Sequence, residues 1–188
     1  VAPLSEPRRA TYHHGALKEA LLEAAAGLIA ARGPEGFSLL DAARACGVGA
    51  SAPYKHFPDK AALLRAVGER GAILLGEALS AAWGGGAPGG FGAMGAAYLR
   101  FARERPGEYA AMFATRGTPG LRGAGQALAM AVSANAPEGG TSEALRGAIW
   151  ALSHGAAMLE RSGMITGTEA DGIVRDGVRR LMAAPRVG

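Results

Sequence analysis

The sequence predicts an all-α protein of about nine helices, arranged as a three-helix head on a larger helical-bundle body. Three observations carry that reading. Runs rich in Val, Ile and Thr are nearly absent and aromatic residues make up only 6%, so the side chains that suit a pleated, half-buried surface are missing. Apolar residues recur at three- and four-residue spacing. Gly and Pro cluster between those periodic stretches, where they end helices. A chain of 188 residues, 49% hydrophobic, is long enough for such a two-part core.

Taken in order, residues 1–10 hold Pro3, Pro7, Arg8 and Arg9 but no hydrophobic signal core, and read as a mobile basic arm. Leu17, Leu21, Leu22, Ala25, Leu28 and Ile29 share one face of a first helix of about four turns, which Arg32, Gly33 and Pro34 terminate. Ser38 caps a second helix, with Asp41 three residues on to reach back as in a capping box. Gly47 stops that helix at Cys46. Ser51 caps a third, with Pro53 in its first turn, where a missing N–H is harmless; residues 57–59 end it quickly. Asp59 caps a fourth helix, in which Leu63, Leu64, Val67, Leu74, Leu75 and Leu79 form the buried stripe up to Trp83. Its length suits a connector over residues 60–83. Residues 84–92, with Gly at six of nine positions and Pro88 among them, mark a loop. Further helices are expected over 91–105, 106–115, 121–134, 142–162 and 168–183, with joints at 116–120 and 137–140.

The formal charge of +4 and pI near 9.6 permit nucleic-acid binding without establishing it. Residues 1–83 carry nine Lys or Arg against eight Asp or Glu, and residues 84–188 carry eleven against eight, so charge does not place a partner at either end. Cys46 is the only cysteine, which rules out an intrachain disulfide and, in its apolar setting, reads as a small buried hydrophobe; a cytoplasmic location fits. The longest uncharged stretch, 78–99, holds seven Gly and Pro88, a composition no membrane helix of that length tolerates easily, and no membrane partner is expected.

Two short helices joined by a Gly-containing turn, with a third packed behind, meet the requirement of a major-groove reader, and residues 38–57 supply them. Ala43 is small where the helices cross, Gly47 lies four residues on in the turn, and Val48 points back to the core. The short helix then turns Ser51, Ala52, Tyr54, Lys55 and His56 outward. Hydroxyls and Lys reach phosphates, Lys also addresses guanine, and Ala or Pro touches a thymine methyl; Lys60 adds a phosphate contact. Any one such residue is ordinarily just solvated surface. The constellation carries the reading.

Residues 47–64, Gly-Val-Gly-Ala-Ser-Ala-Pro-Tyr-Lys-His-Phe-Pro-Asp-Lys-Ala-Ala-Leu-Leu, resemble the signature of the TetR family of repressors, and Tyr12-His13-His14-Gly15-Ala16-Leu17 resembles one subgroup's start of helix one. The resemblance covers about residues 10–65 and implies a three-helix head on a ligand-binding, dimer-forming body. It implies phosphate contacts from Ser38, Ser51, Tyr54, His56 and Lys60, with Ala52, Pro53 and Lys55 nearest the bases. Gly49 stands where the family usually has Ser or Thr, and Pro53 where many members have Leu or Val, so base preferences do not transfer. The division expected is an arm over 1–10, a helix-turn-helix domain over 11–59, the connector over 60–83, and a ligand-binding and dimerisation domain over 84–188.

In the body, Trp150-Ala-Leu-Ser-His154-Gly155 resembles the Trp-x-x-x-His-Gly pattern of one class of the family's C-terminal domains. Trp150 and His154 share a helix face, making a polar tip in an apolar wall; a satisfied core histidine is the competing reading. Met94, Tyr98, Phe101, Tyr109, Met112, Phe113, Met130, Trp150, His154 and Met158 are the candidate lining of a pocket for a small, flexible, apolar effector, although most also suit ordinary core. For a homodimer, the last two helices offer Leu145, Ile149, Leu152, Ala156 and Leu159, then Ile173, Val174, Val178, Leu181 and Met182, as an isologous four-helix contact. Effector binding then swings the connector until the two heads no longer match half-sites of double-stranded operator DNA. An enzyme using His13, His14, His154 and Glu160 is disfavoured, because adjacent His residues do not face one way on a helix and no second i, i+4 pair accompanies His154; no catalytic residue, metal or cofactor is expected. A ligand-independent DNA-binding repressor or architectural protein is the alternative.

Overall fold

The computed structural model of the protein describes residues 14–83, 90–114 and 142–183. Among the described residues there are seven α-helices, one 3-10 turn and no strand. The expected arm, the start of the 84–92 loop, the helix over 121–134 with Met130, and the joints at 116–120 and 137–140 lie outside them.

Local hydrogen bonds explain the head's boundaries. Helix α1 (His14–Arg32) is longer than the apolar stripe at both ends and closes at Gly33, whose φ of 78° is left-handed and suits Gly. Ser38 is extended and its Oγ accepts the Asp41 N–H at 3.1 Å while donating to Asp41 Oδ2 at 2.7 Å, which starts α2 (Leu39–Ala45). Gly47, at φ 67°, turns the chain after Cys46, which is half-buried. The third helix departs from expectation: it shrinks to a 3-10 turn at Pro53–Lys55, and Ser51 does not cap it. The Ala52 N–H donates to Gly49 O at 2.9 Å, so the turning begins before Ser51, and Pro58 stops it after one turn. Asp59 Oδ1 accepts the Ala62 N–H at 2.6 Å and starts α3 (Lys60–Trp83), whose stripe is buried except for half-buried Leu74.

In the body, α4 (Gly90–Glu104) begins inside the expected loop, because Phe91 packs edge-on to Trp83 with centroids 5.2 Å apart. Arg105 separates it from α5 (Pro106–Ala114), with Pro106 in the first helical position. Helices α6 (Ser142–Arg161) and α7 (Gly167–Ala183) complete the body, joined by a turn at Gly163 with φ 75°. Thr166 and Glu169 form a reciprocal cap at the head of α7: Glu169 Oε2 accepts the Thr166 N–H at 2.7 Å and Thr166 Oγ1 accepts the Glu169 N–H at 3.3 Å.

Two apolar cores result. One joins Leu21, Ala25 and Ile29 of α1 with Phe37, Leu39, Phe57, Leu63 and Val67; the other joins Leu75 and Leu79 of α3 with Tyr98, Leu99, Tyr109, Met112, Ile149 and Val174. Helix α5 belongs to both, giving Ala111 to the first and Tyr109 and Met112 to the second. Ile149, Ala156, Val174 and Val178, read from sequence as dimer-interface residues, are instead buried inside the subunit, where α6 and α7 pack on each other and α7 on α4. Their apolar stripe serves the chain's own core. Among the described residues no helix is long and apolar enough to cross a membrane.

Glycines let α5 approach its neighbours. A Cβ on Gly68 or Gly71 of α3 would lie 2.9 Å from Ala111 O or 2.8 Å from Glu108 Cβ, and one on Gly107 would overlap the Ala26 carbonyl of α1. Gly27, in contrast, faces open space. Gly107→Ala is expected to lower unfolding stability by about 1–3 kcal/mol through a backbone clash, whereas Gly27→Ala raises it by about 0.5–1 kcal/mol. Urea denaturation of the two variants checks both signs; equal effects would refute the close-packed junction.

Candidate functional site

The turn after α2 divides its residues by face. Phe57 N–H and His56 N–H both donate to Pro53 O at 2.9 Å, and Val48 N–H donates to Ala43 O at 3.0 Å, which pins the segment to α2. Pro53 and Phe57 are buried, so they anchor the turn in the first core. Pro53 therefore does not lie nearest the bases as expected from the resemblance: its ring faces inward. Ser51, Tyr54 and Lys55 are exposed, Tyr54 at 60%, and together form the outward surface; Ala52 and His56 are half-buried.

Two other expected contacts already have partners. Ser38 is engaged in capping α2. Lys60 donates to Glu35 O at 2.9 Å and Glu35 Oε2 at 3.3 Å, and its ammonium lies 5.2 Å from the centre of the Phe37 ring. This contact ties the 33–37 loop to the start of α3. Sequence reasoning placed Lys60 near the interface but did not foresee Glu35.

Between head and body lies a charged junction that sequence reasoning missed. Arg70 of α3 bonds Glu23 of α1 and, at 3.0 Å, the buried Glu108 Oε1 of α5, which also accepts from Arg105 at 3.3 Å. Burial pulls the Arg70 guanidinium down, but its bonds to Glu23 and Glu108 outweigh that and leave it raised. Its hydrogen bond likewise holds Glu23 below the ordinary carboxylate range. An open cleft of about 600 Å³ runs beside it, lined by Glu19, Ala20, Glu23, Arg70, Leu74 and Arg105. A Glu on α1, an Arg on α3 and a Glu on α5 give no local sequence pattern, so nothing in the sequence announced them.

The proposed pocket residues fall into two groups. Met94, Tyr98, Phe101, Tyr109 and Met112 are buried core, whereas Phe113 and Met158 are 37% and 48% exposed. His154 is half-buried; its Nδ1 lies 2.8 Å from Tyr109 Oη and 3.2 Å from Tyr98 Oη, and its ring centre is 4.4 Å from that of Phe113. Burial pushes the His154 imidazole down and the Tyr109 phenol up. Trp150, half-buried, borders the same group.

An all-helical chain with a helix-turn-helix near its start, a rigid exposed turn and a separate helical body is a DNA-reading regulator in architecture. Residues 21–67 match the profile described as "Bacterial regulatory proteins, tetR family", and residues 91–184 match "Tetracyclin repressor-like, C-terminal domain". The chain belongs to the TetR family, whose members are transcription regulators. It is similar to a solved protein of unknown function from Rhodococcus sp. RHA1, at 28% identity and TM-score 0.77, covering 93% of this chain and 97% of that one. It shares its fold with the TetR family transcriptional regulator PfmR from Thermus thermophilus, at 17% identity and TM-score 0.67 over 89% and 99% of the two chains. It also shares the fold of SmeT, the repressor of the Stenotrophomonas maltophilia multidrug efflux pump SmeDEF, at 19% identity and TM-score 0.64 over 87% and 86%. No curated protein matches the chain.

Because burial depresses the folded-state pKa of His154 below its unfolded value of about 6.5, the folded protein binds fewer protons there. Its contribution to stability is complete above that value and is lost as pH falls through the lower folded pKa. His154→Gln is therefore expected to lose less stability than wild type between neutral and mildly acid pH. Urea midpoints across that window measure it; parallel curves for both proteins would contradict the assignment.

Proposed function

We propose that the protein is a cytoplasmic transcriptional repressor that binds double-stranded operator DNA as a homodimer and releases it when a small apolar effector enters the body. It works without enzymatic chemistry. The observation that carries this reading is the outward surface of Ser51, Tyr54 and Lys55 on a turn anchored by buried Pro53 and Phe57, since a reader must hold its side chains rigidly against base edges. Ser51 and Tyr54 reach phosphates and Lys55, with Ala52 beside it, lies nearest the bases. Ser38 and His56 flank the backbone path, and Lys60 exchanges Glu35 for a phosphate. The working division is an arm, a head to residue 59, a connector over 60–83 and a body from residue 84.

The effector reading is supported by the fold shared with SmeT, of which a complex with triclosan has been solved. The aromatic group around His154, with Met158 on the same helix face, suits such a compound. Helix α5 supplies the coupling: it touches the His154 group through Tyr109 and α1 through Gly107, so a shift of α5 in the body moves the head. For the dimer, Leu159 and Ile173 are exposed, and Leu145, Leu152, Leu181 and Met182 pack against the subunit's own core while staying half-buried. The surface that each leaves uncovered suits a two-fold mate.

Tyr54→Ala and Lys60→Ala are each expected to weaken binding to the intergenic DNA beside the protein's own gene by about tenfold, the loss of one or two phosphate contacts. Affinity of the wild type falls steeply as salt rises. Gel shifts read both effects, and undiminished binding by both variants would sink the assignment.

A further inference from the structure

The His154 group is built from three helices that meet over long sequence distances. Tyr98 comes from α4, Tyr109 and Phe113 from α5, and Trp150, His154 and Met158 lie four residues apart along one face of α6. Its donors and acceptors can be counted. Trp150 borders the group from α6. The Tyr98 hydroxyl has Tyr109 Oη at 3.5 Å and His154 Nδ1 at 3.2 Å within reach of its proton. The Tyr109 hydroxyl has His154 Nδ1 at 2.8 Å as its nearest acceptor. Every phenol proton in the group is satisfied when Nδ1 accepts. If Nδ1 carried the proton instead, both phenols would compete for each other's oxygen at 3.5 Å.

A neutral imidazole with Nδ1 as acceptor holds its proton on Nε2. No described residue supplies a hydrogen-bond partner for that Nε2. The Phe113 ring lies beside the imidazole, and both Phe113 and Met158 are partly exposed. The charged group in contact with this cluster, Arg161, lies over the Tyr109 ring at 5.6 Å.

We infer that His154 Nε2–H is the specificity-determining donor of the effector site, and that it selects an aromatic compound bearing a hydrogen-bond-accepting oxygen. The inference rests on the reading of the body as the effector-binding part. The phenol pair fixes the imidazole's tautomer, Phe113, which packs tilted against the imidazole at 4.4 Å and is 37% exposed, supplies the aromatic edge of the site, and Met158 adapts to the outline of an aromatic body.

Two measurements on the full-length protein test this. Long-range nitrogen–proton NMR on the imidazoles, with the His154 signal assigned by its loss in His154→Gln, is expected to show the Nε2–H tautomer near pH 7.5; an Nδ1–H tautomer overturns the inference without any ligand. Calorimetric titration then compares benzophenone with diphenylmethane, which have the same two rings and differ in the carbonyl. Benzophenone is expected to bind wild type about five- to tenfold more tightly, the worth of one hydrogen bond. That preference survives in His154→Gln, which keeps an N–H donor, and vanishes in His154→Phe. Equal affinities in wild type, or a preference that persists in His154→Phe, overturn it. Binding of neither compound overturns it too, while the operator gel shift reports separately on the DNA-binding reading.

Discussion

The close approach of α5 to α1 and α3 governs how the molecule is put together. It depends on the absence of a side chain at Gly68, Gly71 and Gly107, where backbone meets backbone. Interiors packed to this density deform little and switch between discrete arrangements. A helix shared by two cores therefore makes head and body mechanically continuous. With α1 seated on α5 as well as on α3, a displacement of α5 is delivered directly to α1.

The charged residues at this junction act on the same contact. Glu108 is buried, and the guanidinium groups of Arg70 and Arg105 share its carboxylate. Desolvation offsets much of the attraction within such a cluster, so its net contribution to stability is small, while loss of one member leaves a buried charge exposed to a poor environment. Its directional bonds, from α3 to both α1 and α5, favour one docking of the three helices. Apolar packing supplies cohesion and the ion pairs supply register. A second network, Arg103 with Glu160 at 2.7 Å and Asp171 at 2.9 Å, joins α4 to α6 and α7 at the far end of the body, and is more exposed.

The polar group at His154 follows the same economy of satisfied donors. Two phenols and an imidazole sit beside an apolar core, and among the described residues no buried side-chain polar atom lacks a partner. Burial keeps the imidazole neutral, which makes it a directional hydrogen-bonding group instead of a charge. The reading of His154 as a core histidine describes its Nδ1, which is engaged with the two phenols within the fold.

Much of the helical framework was legible because it is written in interactions spanning three or four residues. Ser38 with Asp41, Asp59 with Ala62, and the left-handed glycines Gly33 and Gly47 mark ends that depend on adjacent backbone alone. The Thr166 to Glu169 cap was equally local and could have been read from its spacing. The family signature pointed to the turn after α2, and the apolar period predicted α3 and its buried stripe. What the sequence could not decide was which side of a one-turn segment faces inward, so Pro53 was turned the wrong way, or whether an apolar stripe on α6 and α7 serves the chain itself or a mate. Those outcomes depend on residues far apart in the chain: His154 meets Tyr98 and Tyr109 across 56 and 45 positions, and Lys60 meets Glu35 across 25. Sequence alone determined the class of fold and the helix ends near the start of the chain, because caps and periodicity act locally; only the tertiary structure decided the faces, the junction and the pairing of the His154 imidazole with two phenols, because those arise from helices brought together by burial.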